Sequence, residues 1–311
     1  MIKETLFTTQ TPYREPLPVY GWKFGNPEKK SLAVVGAMRG NEIQQMYICS
    51  RIVNILRELE AAGEMSPDHG VMVVPCTNQF SMNVGSRFWA ADNTDINRMF
   101  PGYLEGETTQ RIAARIFEPL QGYEWGIQMT SFHLPGDFLP HVRMMETGYE
   151  KAEEGLTFGL PYVVLRSPKP YDTTTLNYNW QVWGTQAFSM YTRETDDIDT
   201  ESAEIAAQAV LHFLSKKGIL HRAYPNNSTE PKIIRESSLK TALSESGGIF
   251  VRRKAAGDTV IEGDVLADIL DPCTGDILEQ IKASCTGRIF FTHRSRLING
   301  HEVAFRILSQ E

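Results

Sequence analysis

The sequence is poor in cysteine, and its cysteines are not paired in any recognisable motif. Cys49, Cys76, Cys273 and Cys285 are scattered along the 311 residues without a CxxC pair, which excludes a disulfide-stapled miniprotein. The N-terminal segment has neither the basic region nor the apolar region of a secretion signal. We therefore expect reduced thiols and a cytoplasmic location.

Long apolar runs and basic clusters are also missing. Runs such as residues 31–38 are far shorter than the roughly 20 residues that cross a bilayer, so we expect no membrane-spanning segment. The 38 acidic residues outnumber the 31 basic ones and give a formal charge of −7, with Arg252-Arg253-Lys254 as the one basic run. This balance opposes binding to nucleic acid or to an anionic membrane. A chain of this length buries a core without a metal, so a metal here would be functional.

From residue 31 to about 220 the sequence alternates apolar runs with helical patterns, which is typical of an α/β fold. Predicted strands cover residues 32–38, 71–76, 126–132, 161–166 and 186–193, and predicted helices cover 41–62, 108–120 and 200–217. The first two strands are apolar throughout, as central strands covered on both faces are. We therefore predict a sheet with helices on both of its faces.

Beyond the last predicted helix, a polar, proline-containing linker leads to a segment without helical periodicity. The segment from Gly248 to Leu270 is echoed by that from Gly287 to Leu308, which indicates an internal duplication of short strands. We predict an α/β domain over residues 1–225 and a smaller, all-β, sandwich-like domain over 231–311. The duplication resembles a biotinyl/lipoyl carrier domain. Its central hairpin at 271–276 has no lysine to modify, so we interpret it as a structural cap.

Polar residues that could carry chemistry cluster where predicted strands end. The segment Gly36-Ala-Met-Arg-Gly-Asn-Glu42 lies where a strand turns into a helix, which is where open α/β sheets place ligand-binding residues. The segment Asp95-Ile-Asn-Arg-Met-Phe-Pro-Gly102 lies in a long loop that also contains Arg87, and loops of such length usually carry function. His133 and Glu194 each follow directly after a predicted strand.

Taken in this order, these segments resemble the signature of the succinylglutamate desuccinylase/aspartoacylase family. That signature runs Gly-x-His-Gly-(Asp/Asn)-Glu, then Asn-Pro with a downstream arginine, then Asp-Leu-Asn-Arg-x-Phe-Pro-Gly, then Asp-Leu-His, and last a catalytic glutamate. Residues 95–102 match their part of it with one conservative change. The resemblance implies a zinc hydrolase with a mixed-sheet, zinc-carboxypeptidase-like α/β domain followed by a smaller β domain.

The resemblance also implies catalytic roles for individual residues. Glu42 and His133 would be zinc ligands, Arg87 would polarise the scissile carbonyl, and Glu194 would be the general base. Zinc lowers the pKa of a bound water toward about 7, a glutamate takes its proton, and an arginine shares the oxyanion charge. These residue types together suit the hydrolysis of an amide.

The kind of substrate follows from the same resemblance. Asn97 and Arg98 would hold a substrate carboxylate, because the fork of a guanidinium can meet both carboxylate oxygens. The implied function is that of a metal-dependent deacylase, a hydrolase of amide bonds other than peptide bonds in N-acyl amino acids or similar small carboxylates. The implied partner is a small anionic substrate, and the sequence leaves a homo-oligomer open.

One departure from the signature concerns the metal. Arg39 stands three residues before Glu42, where the signature has its first histidine ligand, and a guanidinium stays protonated and cannot bind zinc. A catalytic zinc site normally needs three protein ligands and a water. Two milder departures are Ser131, where the signature has aspartate, and Gln79, where it has proline.

Three resolutions are open. His141 could supply the missing nitrogen if the seven-residue loop after His133 folds back, giving a site of Glu42, His133 and His141. Asp137, in the same loop, is the oxygen-donor alternative to His141. Arg39 could instead pair with Glu42, take the place of the metal and contact the anionic substrate. It would then either substitute in part for the Lewis acid or seal an inactive site that still binds a small anion or a protein partner. The third resolution is a weak two-ligand zinc site completed by waters.

Each candidate also has a purely structural interpretation. Glu42 could be the first-turn acid of an ordinary helix, where the helix dipole favours it. His133 could be a core histidine, Arg87 and Arg98 could be surface charges, and Glu194 could belong to an acidic stretch. The histidines outside the candidate site have no metal-ligand spacing, so we expect them on the surface or in packing.

Overall fold

The computed structural model describes residues 1–10, 15–132, 136–226, 228 and 230–309. The chain divides into two compact units. The first contains Met1–Ser131, Pro140–Tyr191 and Thr195–Ile233, and the second contains Phe132–Leu139, Thr192–Glu194 and Ile234–Glu311. The second unit therefore includes two segments from the middle of the chain. The predicted domains, 1–225 and 231–311, remain a prediction.

The elements below are numbered in chain order. The strands are β1 (Ile2–Thr9), β2 (Leu17–Gly25), β3 (Leu32–Ala37), β4 (Gly70–Cys76), β5 (Trp125–Thr130), β6 (Gly136–Phe138), β7 (His141–Met145), β8 (Tyr162–Arg166), β9 (Gln186–Tyr191), β10 (Lys232–Arg235), β11 (Leu239–Leu243), β12 (Gly248–Arg252), β13 (Thr259–Val260), β14 (Val265–Leu270), β15 (Ile277–Lys282), β16 (Gly287–His293), β17 (Leu297–Ile298) and β18 (Val303–Ser309). The helices are α1 (Ile43–Ala61), α2 (Gln79–Asn83), α3 (Thr108–Leu120), α4 (Ala152–Leu156), α5 (Leu176–Val182) and α6 (Thr200–Lys216). Short 3-10 helices lie at Ile96–Arg98, Pro170–Asp172 and Glu236–Ser238.

The first unit is built on a mixed sheet in the order β1-β2-β4-β3-β5-β9-β7-β8-β10. The strands β4, β3, β5 and β9 are parallel to one another, whereas β1 and β2 form an antiparallel pair and β7 runs antiparallel to β9. The carboxyl ends of the parallel strands therefore meet at one edge of the sheet. The turn into α1 and the segment after β5 both begin at this edge.

Helices cover both faces of this sheet. On one face α1 and α6 pack over residues that include Leu32 and Val34, and on the other face α3 and α5 pack over Ala33 and Val35. Successive side chains of a strand point to opposite faces, so β3 supplies both cores and is apolar throughout. This arrangement confirms the predicted fold class.

The second unit is a sandwich of antiparallel sheets. One sheet has the order β11-β18-β16-β13 with β6 paired to β16, and the other has the order β15-β14-β12-β17. Their inner residues form a single core that includes Phe250, Ile269 and Phe305. The predicted duplication is visible in the pairing: β13 of the first repeat pairs with β16 of the second, and β17 of the second pairs with β12 of the first.

Two differences from the predicted elements concern the first unit. The sequence did not predict β1 and β2, which nevertheless extend the sheet beyond β4. The segment His141–Met145, for which the sequence predicted no strand, is the buried strand β7. Its histidine and arginine conceal the strand pattern, because they are buried by neighbouring elements rather than exposed. None of the helices in the described ranges is long and apolar enough to cross a membrane.

Candidate functional site

The turn between β3 and α1 carries Glu42 into the interior. Glu42 is the N-cap residue of α1, and its side chain is fully buried. Its Oε2 accepts hydrogen bonds from the backbone N–H groups of Met38 and Arg39 at 2.9 and 3.0 Å. The turn thus folds around its own carboxylate, unlike the solvated first-turn acid of an ordinary helix.

The guanidinium of Arg39 lies against the same carboxylate. Its Nη1 donates to Oε1 of Glu42 at 3.0 Å, while Nη2 and Nε donate to Oδ2 of Asp95 at 2.8 and 3.2 Å. Burial acts to lower the pKa of Arg39, but the charges of Glu42 and Asp95 outweigh it and raise that pKa above its usual value. Arg39, with only 5% of its surface exposed, is therefore a fixed cation between two carboxylates.

Ser131 completes the donors around Glu42. It follows β5, is buried, and donates from its hydroxyl to Oε1 of Glu42 at 2.5 Å. With the two backbone N–H groups and Arg39, the carboxylate accepts four hydrogen bonds, which is about the number that its lone pairs can take. His133, the second predicted zinc ligand, lies outside the described residues.

A zinc ion does not fit the described residues around Glu42. A metal ligand must offer a free lone pair, and those of Glu42 are taken by donors, one of which is the guanidinium of Arg39. A second cation beside Arg39 would also be repelled by it. Across the part of the chain that the structure describes, no cluster of three His, Cys, Asp or Glu side chains could hold a metal ion.

Arg87 lies in the loop that follows α2, next to this cluster. Its carbonyl oxygen accepts from the backbone N–H of Gly40 at 3.1 Å, which fastens the loop to the β3–α1 turn. Its half-buried guanidinium has no hydrogen bond or ion pair with any residue in the described ranges. Burial lowers the pKa of Arg87 and the positive charges of Arg39 and Arg98 lower it further, whereas the carboxylates of Glu42 and Asp95 oppose the shift. Arg87 is thus a partly desolvated cation that no carboxylate in the described ranges contacts directly.

Asn97, predicted to bind the substrate, has a structural hydrogen bond. It is buried in the 3-10 helix Ile96–Arg98, and its Oδ1 accepts from the backbone N–H of Leu176 at 3.2 Å. Leu176 is the first residue of α5. Asn97 therefore fastens the motif loop to the start of that helix.

Arg98, the other predicted carboxylate ligand, is held by one edge of its guanidinium. Its Nη1 donates to the carbonyl oxygen of Tyr171 at 2.7 Å and to Oδ1 of Asp172 at 3.3 Å. Its side chain remains 34% exposed, and Nε and Nη2 form no hydrogen bond within the described ranges. Arg98 is thus oriented by Asp172 and still presents N–H groups to a ligand.

His141 is the first residue of β7, within the sheet of the first unit. Its buried ring stacks on Tyr191 of β9, with the ring centroids 5.0 Å apart and the planes at 2°. The hydroxyl of Tyr191 accepts from Nη1 of Arg143 at 3.0 Å, and Cζ of Arg143 lies 4.2 Å from the centre of the Tyr191 ring. The structure therefore places His141 in a buried row with Tyr191 and Arg143, within a strand that the sequence did not predict.

In the second unit, Glu194 and Asp137 lie among arginines. Glu194 is buried and forms an ion pair with Arg294. Asp137 pairs with Arg252 at 3.2 Å and more loosely with Arg193 at 4.0 Å. Burial raises the pKa of Asp137, and the neighbouring arginines oppose that shift. The predicted general base and the predicted oxygen donor are thus both engaged by arginines of their own unit.

Sequence reasoning gave no role to Asp95, Asp172 or Arg143. Asp95 opens the 95–102 motif, so the motif itself was a signal that this carboxylate matters. Asp172 and Arg143 lie in segments without a motif, and only their burial and their contacts reveal them.

The sequence matches a known protein family and a curated relative. The pattern of the succinylglutamate desuccinylase/aspartoacylase catalytic domain matches residues 28–216, more than half of the chain. A curated relative, the N-alpha-acetyl-L-2,4-diaminobutyric acid deacetylase of Halomonas elongata, is 24% identical over 258 residues, which cover 78% of this chain and 71% of that protein.

Solved structures show the same fold. The product-bound ectoine utilization protein EutE (DoeB) from Ruegeria pomeroyi superposes with a TM-score of 0.78 at 20% identity, covering 95% of this chain and 90% of that one. A family protein from Shewanella amazonensis gives a TM-score of 0.79 at 14% identity, with 100% and 99% covered. The motif segments 36–42 and 95–102 both lie inside the matched range. The chain therefore belongs to the succinylglutamate desuccinylase/aspartoacylase family, a family of deacylases.

Proposed function

We propose that this family member binds N-acyl amino acids or similar small carboxylates through Arg87 and Arg98. The observation that carries the proposal is the half-buried guanidinium of Arg87, which forms no ion pair with any acidic residue in the described ranges and is repelled by the charges of Arg39 and Arg98. A partly desolvated cation without a direct counter-ion is less favourable than one that is paired with an anion. A carboxylate matches a guanidinium in both charge and shape.

The relatives support this class of ligand. The protein from Halomonas elongata is named as a deacetylase of N-alpha-acetyl-L-2,4-diaminobutyric acid. A ligand of this kind has a carboxylate and an acylated amine, so it would offer both an anion for the arginines and an amide. Which acyl group this chain prefers would depend on contacts beyond Arg87 and Arg98.

Binding without turnover is the function that the geometry supports best. The resemblance implies that Glu42 is a metal ligand, and in this chain both of its oxygens accept hydrogen bonds from Arg39, Ser131 and the turn. Metal-dependent hydrolysis therefore has no support from the described residues around Glu42. The chain would be a carboxylate-binding member of a deacylase family.

Amide hydrolysis is the second candidate, favoured by the burial of Glu194 shortly after β9, where the resemblance implies the general base. Glu194 would take a proton from the attacking water. Arg294 would have to move away from Glu194 before that carboxylate could accept a proton.

The test combines binding and turnover on one panel of N-acyl amino acids. Calorimetric titration should show binding to the native chain and a loss of about tenfold or more in affinity for Arg87→Gln, since a hydrogen bond to a charged group is worth about 1.5–3 kcal/mol. Arg111→Gln, which removes an exposed arginine on α3, is the matched control and should leave affinity unchanged.

Turnover is measured on the same samples as release of the free amine, with zinc, cobalt or manganese supplied. Binding without release supports the proposed function. Release that is lost on Glu194→Gln would replace it with the second candidate. If no member of the panel binds the native chain, the proposal of a small carboxylate ligand is wrong.

A further inference from the structure

We propose that Arg39 and Ser131 act together as a built-in replacement for a metal ion beside Glu42. Both donate to the same oxygen, Oε1 of Glu42, at 3.0 and 2.5 Å. The other oxygen is held by two backbone N–H groups of the turn. A cation could reach this carboxylate only by breaking bonds that the chain already makes.

Asp95 fixes the guanidinium in this position. Arg39 donates from Nη2 and Nε to one oxygen of Asp95 and from Nη1 to Glu42, so it is held from two sides. The Asp95 carboxylate is itself oriented by the backbone N–H of Asn97, which donates to Oδ1 at 3.0 Å. Moving the guanidinium outward would be unfavourable, because Glu42 would be left as an uncompensated buried charge and Asp95 would lose its partner.

The charges of the two substituted positions compensate each other. The signature implies histidine at position 39 and aspartate at position 131, so a divalent metal ion would face two carboxylates, from Glu42 and residue 131. In this chain the single positive charge of Arg39 faces the single negative charge of Glu42, and Ser131 contributes a neutral hydroxyl. Asp95 is common to both arrangements. Relative to the signature, one positive and one negative charge are removed together, which preserves the balance inside a buried site.

Because of this compensation, we expect the effects of substitutions at positions 39 and 131 to depend on each other. Changing Arg39 to histidine alone would supply the missing nitrogen, but the Ser131 hydroxyl would still donate to Oε1 of Glu42 and compete with a metal ion for that oxygen. Changing Ser131 to aspartate alone would place a second carboxylate against Glu42, since the Ser131 hydroxyl already lies 2.5 Å from Oε1. Only the double change would restore both the nitrogen ligand and the charge balance.

The experiment compares the native chain, Arg39→His, Ser131→Asp and the double variant after removal of metal with a chelator. Zinc binding is measured by calorimetric titration and elemental analysis, and the melting temperature is measured with and without zinc. We expect no stoichiometric zinc in the native chain and measurable binding in Arg39→His that the Ser131 hydroxyl weakens. The double variant should bind one equivalent at least tenfold more tightly than Arg39→His, with a zinc-dependent rise in melting temperature.

Two controls separate this result from unrelated effects. Arg98→His introduces a histidine into the neighbouring motif loop, where Arg98 contacts Tyr171 and Asp172 instead of Glu42, and it should bind no zinc. Ser131→Asp alone should lower the melting temperature without zinc. None of these readouts uses a carboxylate ligand, so the inference can fail while the proposed function stands, and the reverse also holds.

Two results would overturn the inference. One is a native chain that binds an equivalent of zinc as tightly as the double variant. The other is a double variant that folds, as judged by circular dichroism, but binds zinc no better than Arg39→His. If the variants do not fold, titration of the native chain decides alone: stoichiometric zinc overturns the inference, and its absence supports it.

Discussion

At the scale of single residues, Arg98 depends on Asp172, a buried acid outside any motif. Oδ1 of Asp172 accepts from Arg98 at 3.3 Å, and Oδ2 pairs with Arg166 at 3.0 Å and accepts from the backbone N–H of Lys169 at 2.9 Å. One carboxylate thus orients two arginines and the 3-10 turn that carries it. Arg98, which would contact the ligand, is partly exposed, whereas Asp172, which positions it, is 1% exposed.

We expect Asp172→Asn to weaken both stability and ligand binding. The amide keeps the shape of the carboxylate but removes the charge that both arginines face. The free energy of unfolding should fall by about 1–3 kcal/mol, below the cost of breaking a fully buried ion pair because Arg98 is partly solvated. Urea denaturation measures the first effect, and titration with an N-acyl amino acid measures the second. Asp68→Asn, at an exposed acid of the first unit, should change neither, and equal effects of the two substitutions would contradict the assigned role of Asp172.

At the scale of elements, the β3–α1 turn and the loop after β4 are packed backbone against backbone. A Cβ atom added to Gly40 would lie 2.3 Å from both the carbonyl carbon of Ser81 and the carbonyl oxygen of Ser86. Asn78 joins the same two segments, because its Nδ2 donates to the carbonyl oxygen of Met38 at 3.2 Å while its Oδ1 caps α2. This close approach is what brings Arg87 beside the Arg39 and Glu42 cluster.

Gly40→Ala should therefore separate the two segments. Neither neighbour is a flexible side chain, so the backbone itself must move, and overpacking of this kind costs about 1–3 kcal/mol of stability. Urea denaturation tests this, and carboxylate affinity should fall as Arg87 moves away from Arg98. Gly247→Ala is the matched control, since the nearest atom to its added Cβ is 3.4 Å away. If the Gly40→Ala chain were as stable as the native one, the two segments would accommodate the added methyl group without a cost in stability.

At the scale of the whole molecule, burial of thiols couples stability to pH. Burial raises the pKa of Cys76 to about 11, and the negative charge of Glu42 also acts in that direction. In the unfolded chain the pKa of a thiol is about 8.5. When the pKa of a thiol is higher in the folded chain than in the unfolded chain, the thiol contributes its full stabilisation below the pKa of the unfolded chain. That stabilisation is lost as the pH rises through the pKa of the folded chain. The loss from Cys76 should thus develop from about pH 8.5 to 11.

The measurement is the free energy of unfolding at pH 7 and at pH 10 for the native chain and for Cys76→Ala. Between pH 7 and pH 10 the free energy of unfolding should fall by about 2 kcal/mol more for the native chain than for Cys76→Ala. Cys273→Ala is the control, because that thiol is exposed in the folded chain, and its pH dependence should match the native one. If the free energy of unfolding falls by the same amount for Cys76→Ala and for the native chain, the fold does not disfavour ionisation of the Cys76 thiol.

Much of the fold could be predicted from the sequence because hydrophobic periodicity is local. The apolar run at 32–38 became β3, and the amphipathic segments at 41–62 and 200–217 became α1 and α6, each with nearly the predicted bounds. The strand β7 escaped prediction because His141 and Arg143 are polar. Their burial depends on Tyr191, which lies in a strand far along the chain.

The sequence by itself determined the layered α/β architecture, the family and the residue types at the site, since each is encoded in short-range patterns. Only the tertiary structure decided how the departures at positions 39 and 131 fit together. Arg39 meets Asp95 across 56 residues of chain, and Ser131 meets Glu42 across 89. Polar contacts over such separations have no periodicity to reveal them. They arise because the carboxyl ends of parallel strands meet at one edge of a sheet, together with the loops that follow them. A carboxylate that is buried there needs hydrogen-bond donors, and these come from residues that are distant in the sequence but adjacent in the fold.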